Sequence, residues 1–432
     1  MIFKRLLASI LTTYFLPASD VIDGCIHLAK ILMEILLKLL PPEPKIDLYN
    51  EGFETPDILQ RKKVSAALSD LLGRIEDPIV VALDGKWGTG KSYFLKRWVA
   101  ANNIEYGSSA TTVYFDAFAH DYHSDPLPAL VSALADRLPK EKLGQIQKVK
   151  TAAFKLAKPL ARIGLAVATY GATEAASGIG DTVVEAVSKE AASGMQAYWA
   201  QEKARGIAIA EFRNAIESLA TPKDSDSVGA SVIIVVDELD RCRPDYALEV
   251  LEVIKHFFSV PHLHFVLGVN LKALENSVRA RYGEHIDAHA YLKKFIHLSL
   301  KLPENFGTDY DKKSASLIYM GHLVSEMGIP EHIGGRLQNR LDIVSRSNDI
   351  SLRNIGKIAM SVNISSGDVL EPKNFYAGWI EVFVDLIISK IVRPDLYPKF
   401  LDASISKEEL LSYLGATGNY PPPCHAPQCL NP

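Results

Sequence analysis

Short apolar runs that end on a polar residue recur along the middle of the chain, and amphipathic stretches separate them. IVVALD at 79–84, TTVYFDA at 111–117, SVIIVVD at 231–237 and HLHFVLGVN at 262–270 read as strands. Consecutive β-branched residues from Val232 to Val236 predict a strand buried on both faces, as in a parallel sheet. YLKKFIHLSLKLP at 291–303 reads as a helix turn, a short strand and a proline stop. Helical spacing occurs at Phe94, Leu95 and Trp98, from Leu127 to Leu138, at Leu248, Leu251, Ile254, Phe257 and Phe258, and through LKALENSVRARYG. Residues 54–75 predict a further helix, with Thr55 as N-cap, Pro56 next, and an apolar stripe of Ile58, Val64, Leu68 and Leu72. The alternation predicts an α/β protein with a mostly parallel sheet.

Outside that stretch the pattern changes. The first 45 residues hold two apolar runs, the first resembling a secretory signal and the second broken by Asp23, Lys30, Glu34 and Lys38. Neither offers the 18 uncharged residues of a clear membrane span, so both read as amphipathic helices lying on a membrane, a partner or the protein's own core. PPEPK at 41–45 marks a boundary. Residues 140–222 read as a helical insertion whose Ala- and Gly-rich middle is interrupted by Arg162, Glu174 and Asp181. The lysines at 140, 142, 148, 150, 155 and 158 can meet nucleic acid or acidic lipid, although a solvated helix face accounts for them better. From about 309 onward only helices and loops are expected, so 305–415 reads as a helical lid or C-terminal bundle, and the proline-rich end, 416–432, as a disordered tail. The strand and helix segments thus divide between 46–139 and 223–304.

The candidate chemistry sits at two strand ends. After Asp84 comes Gly85-Lys86-Trp87-Gly88-Thr89-Gly90-Lys91-Ser92, a G-x-x-x-x-G-K-S phosphate loop between a strand and a helix. Its glycines let amides wrap a phosphate, Lys91 would reach the β/γ-phosphates, and Ser92 would ligate Mg²⁺. SVIIVVDELDRCRPD supplies the partner motif. Asp237, at the carboxyl end of its strand, would hold Mg²⁺, and Glu238 would accept a proton from attacking water. Asp240 and Arg241 either couple nucleotide state to a neighbouring surface or pair with one another. Asn270 is placed either as a γ-phosphate sensor or as a helix cap. Arg279 and Arg281 are candidates for an arginine finger, as is Arg241, and Arg353 in SLRNIGKIAMSV for a lid arginine.

A net charge of -4 gives no general attraction to nucleic acid or anionic lipid, and the 48% hydrophobic content suffices for a sizeable core. Four cysteines, Cys25, Cys242, Cys424 and Cys429, are too few and scattered for a disulfide framework. A site that needs the ATP pool points to the cytoplasm, with the inner face of the membrane as an extension of it. His120 and His123 have metal-like spacing, yet no further His or Cys is placed to complete a site, so FAHDYHSDP reads as a strand-to-helix loop beside the nucleotide. Cys424, His425 and Cys429 would need ligands from elsewhere.

DGKWGTGKS at 84–92 and VVDELDRCRPDYALEVLEVIKHFF at 235–258, with FVLGVN, YLKKFIHLSLKLP and SLRNIGK, resemble the KAP P-loop NTPases over roughly 54–360. The resemblance implies an ASCE-type P-loop core with an added strand between the two Walker strands, and ATP hydrolysis with Mg²⁺. It carries Lys91 and Ser92 over to phosphate and Mg²⁺, Asp237 to Mg²⁺, and Glu238 to water activation. The chain departs from the family in its interrupted insertion, where members often carry a transmembrane pair. It also has Asn270 where aspartate is common, and Phe118 where tryptophan is. Relatives exclude phages or act as membrane-associated signalling scaffolds, so defence or membrane-linked signalling is expected. A homo-oligomer or a partner protein would engage the N-terminal helices and the insertion. A nucleotide-binding scaffold with little turnover, a nucleic-acid-stimulated ATPase and a small-molecule kinase are the alternatives, the last disfavoured by the Asp-Glu strand end.

Overall fold

The computed structural model describes residues 41, 45–54, 56–138, 143–156, 207, 209–218, 231–255, 260–306, 313–365 and 377–416. The expected N-terminal helices, most of the insertion, the Thr55 cap and the proline-rich tail lie outside them. The described residues form two compact units, Lys45–Pro303 and, with Pro41, those from Glu304 onward.

The first unit is built on five strands, β1 (Val80–Asp84), β2 (Thr111–Asp116), β3 (Val232–Asp237), β4 (Leu263–Val269) and β5 (Leu298–Lys301). All pair in parallel, in the order β2-β3-β4-β1-β5. β4 therefore lies between β1 and β3, the added strand expected of an ASCE-type sheet. β3 and β4 are buried throughout, because helices cover both faces and leave no solvated side to favour polar alternation.

Helices α1 (Lys62–Gly73) and α2 (Lys91–Ile104) cover one face, where Leu68, Leu72, Phe94 and Trp98 pack on Val81, Leu83, Ile233, Val235 and Val266. On the other face lie α3 (Leu127–Arg137), α4 (Leu143–Leu156), a helical segment at 209–218, α5 (Pro244–Lys255), α6 (Leu271–Tyr282) and α7 (Ala288–Leu292). They meet Val80, Ala82, Ile234, Val236, Phe265 and Leu267, the alternate residues of the same strands. The described ends of the insertion thus belong to the core. α4 buries Ile146, Val149, Ala152 and Ala153 while Lys148 and Lys150 are exposed, the solvated face that the lysine pattern favours.

The helix expected from residue 54 starts only at Lys62. Gln60 takes a left-handed backbone (φ 47°), which ends any helix running through it, and Asp57 accepts the first amide of α1 at 2.7 Å. The outer edge of β2 is covered as well. The Tyr49 hydroxyl accepts from the Tyr114 amide at 2.9 Å, and Arg137 donates to the Thr112 carbonyl at 3.2 Å, so edge groups that could recruit another strand are occupied.

Where only helices and loops are expected, the second unit begins with a short antiparallel pair, β6 (Asn305–Phe306) and β7 (Lys313–Ser314), two residues each and too brief to leave an apolar pattern in the sequence. Helices α8 (Ala315–Glu326), α9 (Glu331–Ser345), α10 (Leu352–Ser365), α11 (Ala377–Val392), α12 (Tyr397–Leu401) and α13 (Lys407–Leu414) follow. Leu337, Leu341, Ile355, Ile358, Val384 and Ile388 form its core, and Arg340 grips Asp385 through two nitrogens. Among the described residues no helix is long and apolar enough to cross a membrane.

His264 on β4 is fully buried, and that burial, with His262 nearby, lowers its pKa to about 4. An unfolded histidine titrates near 6.5, so between about pH 6.5 and 4 only the unfolded chain takes up this proton. Stability from this group is complete above pH 6.5 and falls by up to roughly 1.4 kcal/mol per unit as the pH drops. Urea midpoints measured from pH 7 to pH 5 should therefore decline more steeply in the wild type than in His264→Leu. Parallel profiles would refute this.

Candidate functional site

β1 hands the chain to a loop whose shape is set by glycine. Gly88 and Gly90 have φ of 82° and 83°, a left-handed backbone that other residues adopt only with strain. Gly85 donates its amide to the Val269 carbonyl at 3.1 Å, tying the loop to the end of β4. Thr89 Oγ1 donates to the Lys86 carbonyl at 2.9 Å. α2 begins directly at Lys91, and its first turn holds no acidic residue, so the open amides and the positive end of the helix dipole remain available to an anion. The Lys91 ammonium, itself buried, donates to the carbonyls of Gly85 and Lys86. Burial lowers its pKa, with Asp240, Asp237 and Asp84 opposing that shift.

A residue that sequence reasoning missed braces this loop from below. Arg61, only 2% exposed, donates to the Thr89 carbonyl at 2.7 Å and the Gly90 carbonyl at 3.0 Å. Burial lowers its pKa to about 10, which leaves it charged at neutral pH. Nothing local marks it, since the contact closes only when the late start of α1 frees Arg61 from a helix.

At the end of β3, two strands from β1, Asp237 is 1% exposed. Its Oδ2 accepts from the Tyr114 hydroxyl at 2.7 Å and its Oδ1 from the Glu238 amide at 2.9 Å. Ser92, in the first turn of α2, lies close enough to the same carboxylate to help hold its pKa down, so the start of α2 and the end of β3 meet. Burial raises the Asp237 pKa against these hydrogen bonds. Gly268 on β4 makes room, because a Cβ there would stand 2.2 Å from Asp237 Oδ1. Buried oxygen donors of this kind fit a hard divalent cation such as Mg²⁺.

Glu238 follows in a left-handed conformation (φ 59°), an uncommon state for a residue with a side chain. Its carboxylate pairs with Arg241 at 2.8 Å. Desolvation raises its pKa, and Arg241 pulls the other way. Asp240 does not pair with Arg241 but accepts from the Trp87 indole at 2.5 Å, linking the loop after β3 to the phosphate-type loop. Phe118 and Tyr122, in the loop after β2, are exposed. That loop is anchored by Arg243, whose amide donates to Asp121 at 3.0 Å and whose guanidinium donates to the His123 carbonyl at 3.0 Å. His120 stacks on Phe115, and the described residues contain no His, Cys, Asp and Glu group able to hold a metal ion through three such ligands.

The remaining candidates are placed as follows. Asn270 caps α6, its side chain accepting from Ala273 at 3.4 Å, while Asp84 accepts from the next amide, Leu271, at 3.0 Å. Arg279 pairs with Glu275 on its own helix and Arg281 with Asp245 at 3.4 Å. Both sit toward the far end of α6, about 12 Å and about 15 Å from its start at 1.5 Å per residue. Arg353 is exposed in the first turn of α10, in the second unit. The first unit thus gathers Gly85–Ser92, Asp237, Glu238, Trp87 and Arg241 at the carboxyl ends of its strands, where open α/β sheets bind ligands.

Residues 61–366 match the family model described as the KAP family P-loop domain. No curated protein is similar to the chain. Among solved structures, the ORC2 protein of Aeropyrum pernix in ADPNP-ADP complexes is 12% identical, with 87% of this chain and 74% of that one covered and a TM-score of 0.35. Cdc6p from Pyrobaculum aerophilum is 11% identical over 76% of this chain and 66% of its own, with a TM-score of 0.37. AMPPCP-bound DnaA from Aquifex aeolicus is 10% identical over 81% and 89%, with a TM-score of 0.26. Likeness at this level carries no functional argument.

Proposed function

The chain belongs to the KAP family of P-loop NTPases, and from that premise we propose that it binds ATP with Mg²⁺ and hydrolyses it to drive conformational change or assembly. The observation that carries this reading is the joining of the Lys91 loop to the end of β3 across the added strand, where the Trp87 indole donates to Asp240 at 2.5 Å and Ser92 lies beside Asp237. Mg²⁺, when bound, supplies positive charge that neutralises the phosphates and polarises them toward attack. Ser92 and Asp237 would hold it. The amides of Gly85–Ser92 would cradle the phosphates, and Lys91 would exchange the Gly85 and Lys86 carbonyls for phosphate oxygens. Glu238 would orient and deprotonate the attacking water. Asn270 at the end of β4 is the proposed sensor, Arg241 the candidate cation for the γ-phosphate within this unit, and Arg279 or Arg281 a candidate finger supplied in trans by a neighbouring copy. The need for the ATP pool argues for a cytoplasmic setting, and defence or membrane-linked signalling is the context that the family resemblance supplies.

A second reading, nucleotide binding with little turnover, draws support from one feature. The Glu238 carboxylate is engaged by Arg241, and a base held in an ion pair is a poor acceptor until it is released.

Trp87 offers a direct test of binding. Its indole is half exposed and bonded to Asp240, beside the proposed phosphate site. Titration of the purified protein with ATP and Mg²⁺ should change its tryptophan fluorescence, with phosphate release in the same samples separating turnover from binding alone. Trp87→Phe should lose the fluorescence change yet still bind a fluorescent ATP analogue, weakened by no more than about tenfold, the worth of about 1.4 kcal/mol. A full signal from that variant, or no nucleotide binding by the wild type, would refute the reading.

A further inference from the structure

Side chains along β3 alternate between faces, and Ile233 and Val235 point to the side covered by α2, which puts Asp237 there too. On the neighbouring strand β2, Asp116 is registered with Asp237, whereas Tyr114 is registered with Val235. Tyr114 therefore starts two residues, about 6.6 Å, short of the carboxylate on the same face. A long side chain covers that interval, and the Tyr114 hydroxyl reaches Asp237 Oδ2 at 2.7 Å.

The tyrosine is itself held. Its amide donates to the Tyr49 hydroxyl at 2.9 Å, and the Lys96 ammonium lies 5.5 Å over its ring. A tyrosine hydroxyl keeps its proton at neutral pH and can therefore donate it to the carboxylate. Asp237 then receives one donor on each oxygen, Tyr114 on Oδ2 and the Glu238 amide on Oδ1. Two donors, the hydroxyl reaching over from β2 and the amide of the residue that follows Asp237, leave the carboxylate a single orientation.

We propose that Tyr114 is a positioning residue for the divalent cation, its hydroxyl fixing the Asp237 carboxylate in the orientation that meets Ser92. The proposal rests on the reading of Asp237 as a cation-holding residue. Outer partners of this kind orient the ligating atoms and tune their affinity, and their loss typically weakens metal binding ten- to a hundredfold. Tyr114→Phe removes the hydroxyl alone and keeps the ring between Lys96 and the sheet.

The test is titration of full-length protein with Mn²⁺ in the presence of ADP, with free Mn²⁺ read by electron paramagnetic resonance. ADP affinity in EDTA is measured alongside. Tyr114→Phe should weaken Mn²⁺ binding about ten- to a hundredfold while metal-free ADP affinity stays within about twofold. Tyr114→Leu should show the same split, which covers the case in which the phenylalanine variant folds poorly. Unchanged Mn²⁺ affinity in these variants would overturn the proposal. Equal losses of Mn²⁺ and metal-free ADP affinity would also overturn it, because they indicate a packing role. If the wild type with ADP holds no Mn²⁺, the reading of Asp237 itself falls, and the proposal with it.

Discussion

Replacing Glu238 with glutamine is expected to cut Mg²⁺-dependent ATP turnover by about a hundredfold to ten-thousandfold, the usual contribution of a positioned base. Nucleotide affinity should change little. Glutamine keeps the shape and can still accept from Arg241, but its amide cannot take a proton from water. The geometry makes the substitution clean. Glu238 is fixed through its backbone, its amide donating to Asp237 Oδ1 at 2.9 Å and to the Gly268 carbonyl at 3.2 Å, so the side-chain change leaves those anchors in place. Its left-handed backbone is an uncommon state for a residue with a side chain, kept because the end of β4 and Asp237 hold it on both sides. Burial raises the Glu238 pKa and the Arg241 ion pair partly offsets that. The base works only when deprotonated, so wild-type turnover should fall toward acid pH with a midpoint above that of free glutamate. Glu238→Gln should lose that acid limb.

Lys91→Ala is expected to act one step earlier. The ammonium is the charge nearest the proposed phosphates, and a hydrogen bond to a charged group contributes about 1.5–3 kcal/mol, so ATP affinity should drop by about ten- to a hundredfold. Turnover should fall further, by at least about a hundredfold, because charge developing in the transition state loses its partner as well. Folding should survive. In the structure Lys91 donates only to the carbonyls of Gly85 and Lys86 at the rim of the loop, and Arg61 still braces the loop through Thr89 and Gly90. Isothermal titration with ATP and Mg²⁺, together with thermal melting, checks both parts. A variant that binds ATP as the wild type does would contradict the role given to Lys91. The two variants should differ in kind, Glu238→Gln binding without turnover and Lys91→Ala failing at binding.

How much of this was legible in the chain follows from how local each contact is. The phosphate-type loop is written in consecutive residues, with glycines where the backbone turns left-handed and Lys91 opening the helix. β3 and β4 are equally plain, since unbroken β-branched and apolar runs have few alternatives to a doubly covered strand. The family followed from the same local strings, and the strand between the two Walker strands was expected from that resemblance. Arg61 was invisible because its partners lie 28 and 29 residues away, and because the helix expected across it gives way at Gln60. Tyr114 and Asp237 are 123 residues apart, Trp87 and Asp240 153, so only the folded register of β2, β3 and β1 brings them together. Nothing in HLHFVLGVN marks Gly268, because the carboxylate that its missing Cβ makes room for lies on another strand. Asp240 and Arg241 show the limit of adjacency, since neighbours that could have paired instead take partners in two different directions.

The central claim is that the loop at Lys91 and the strand end at Asp237 and Glu238 make one hydrolytic site. Its most direct measurement is a single-turnover reaction, with purified protein in excess over ATP labelled on the γ-phosphate, Mg²⁺ present, and the bound nucleotide analysed over time. The wild type should convert its bound ATP to ADP and phosphate, while Glu238→Gln retains intact ATP under the same conditions. Equal conversion by the two proteins, or intact ATP retained by both, would contradict the account.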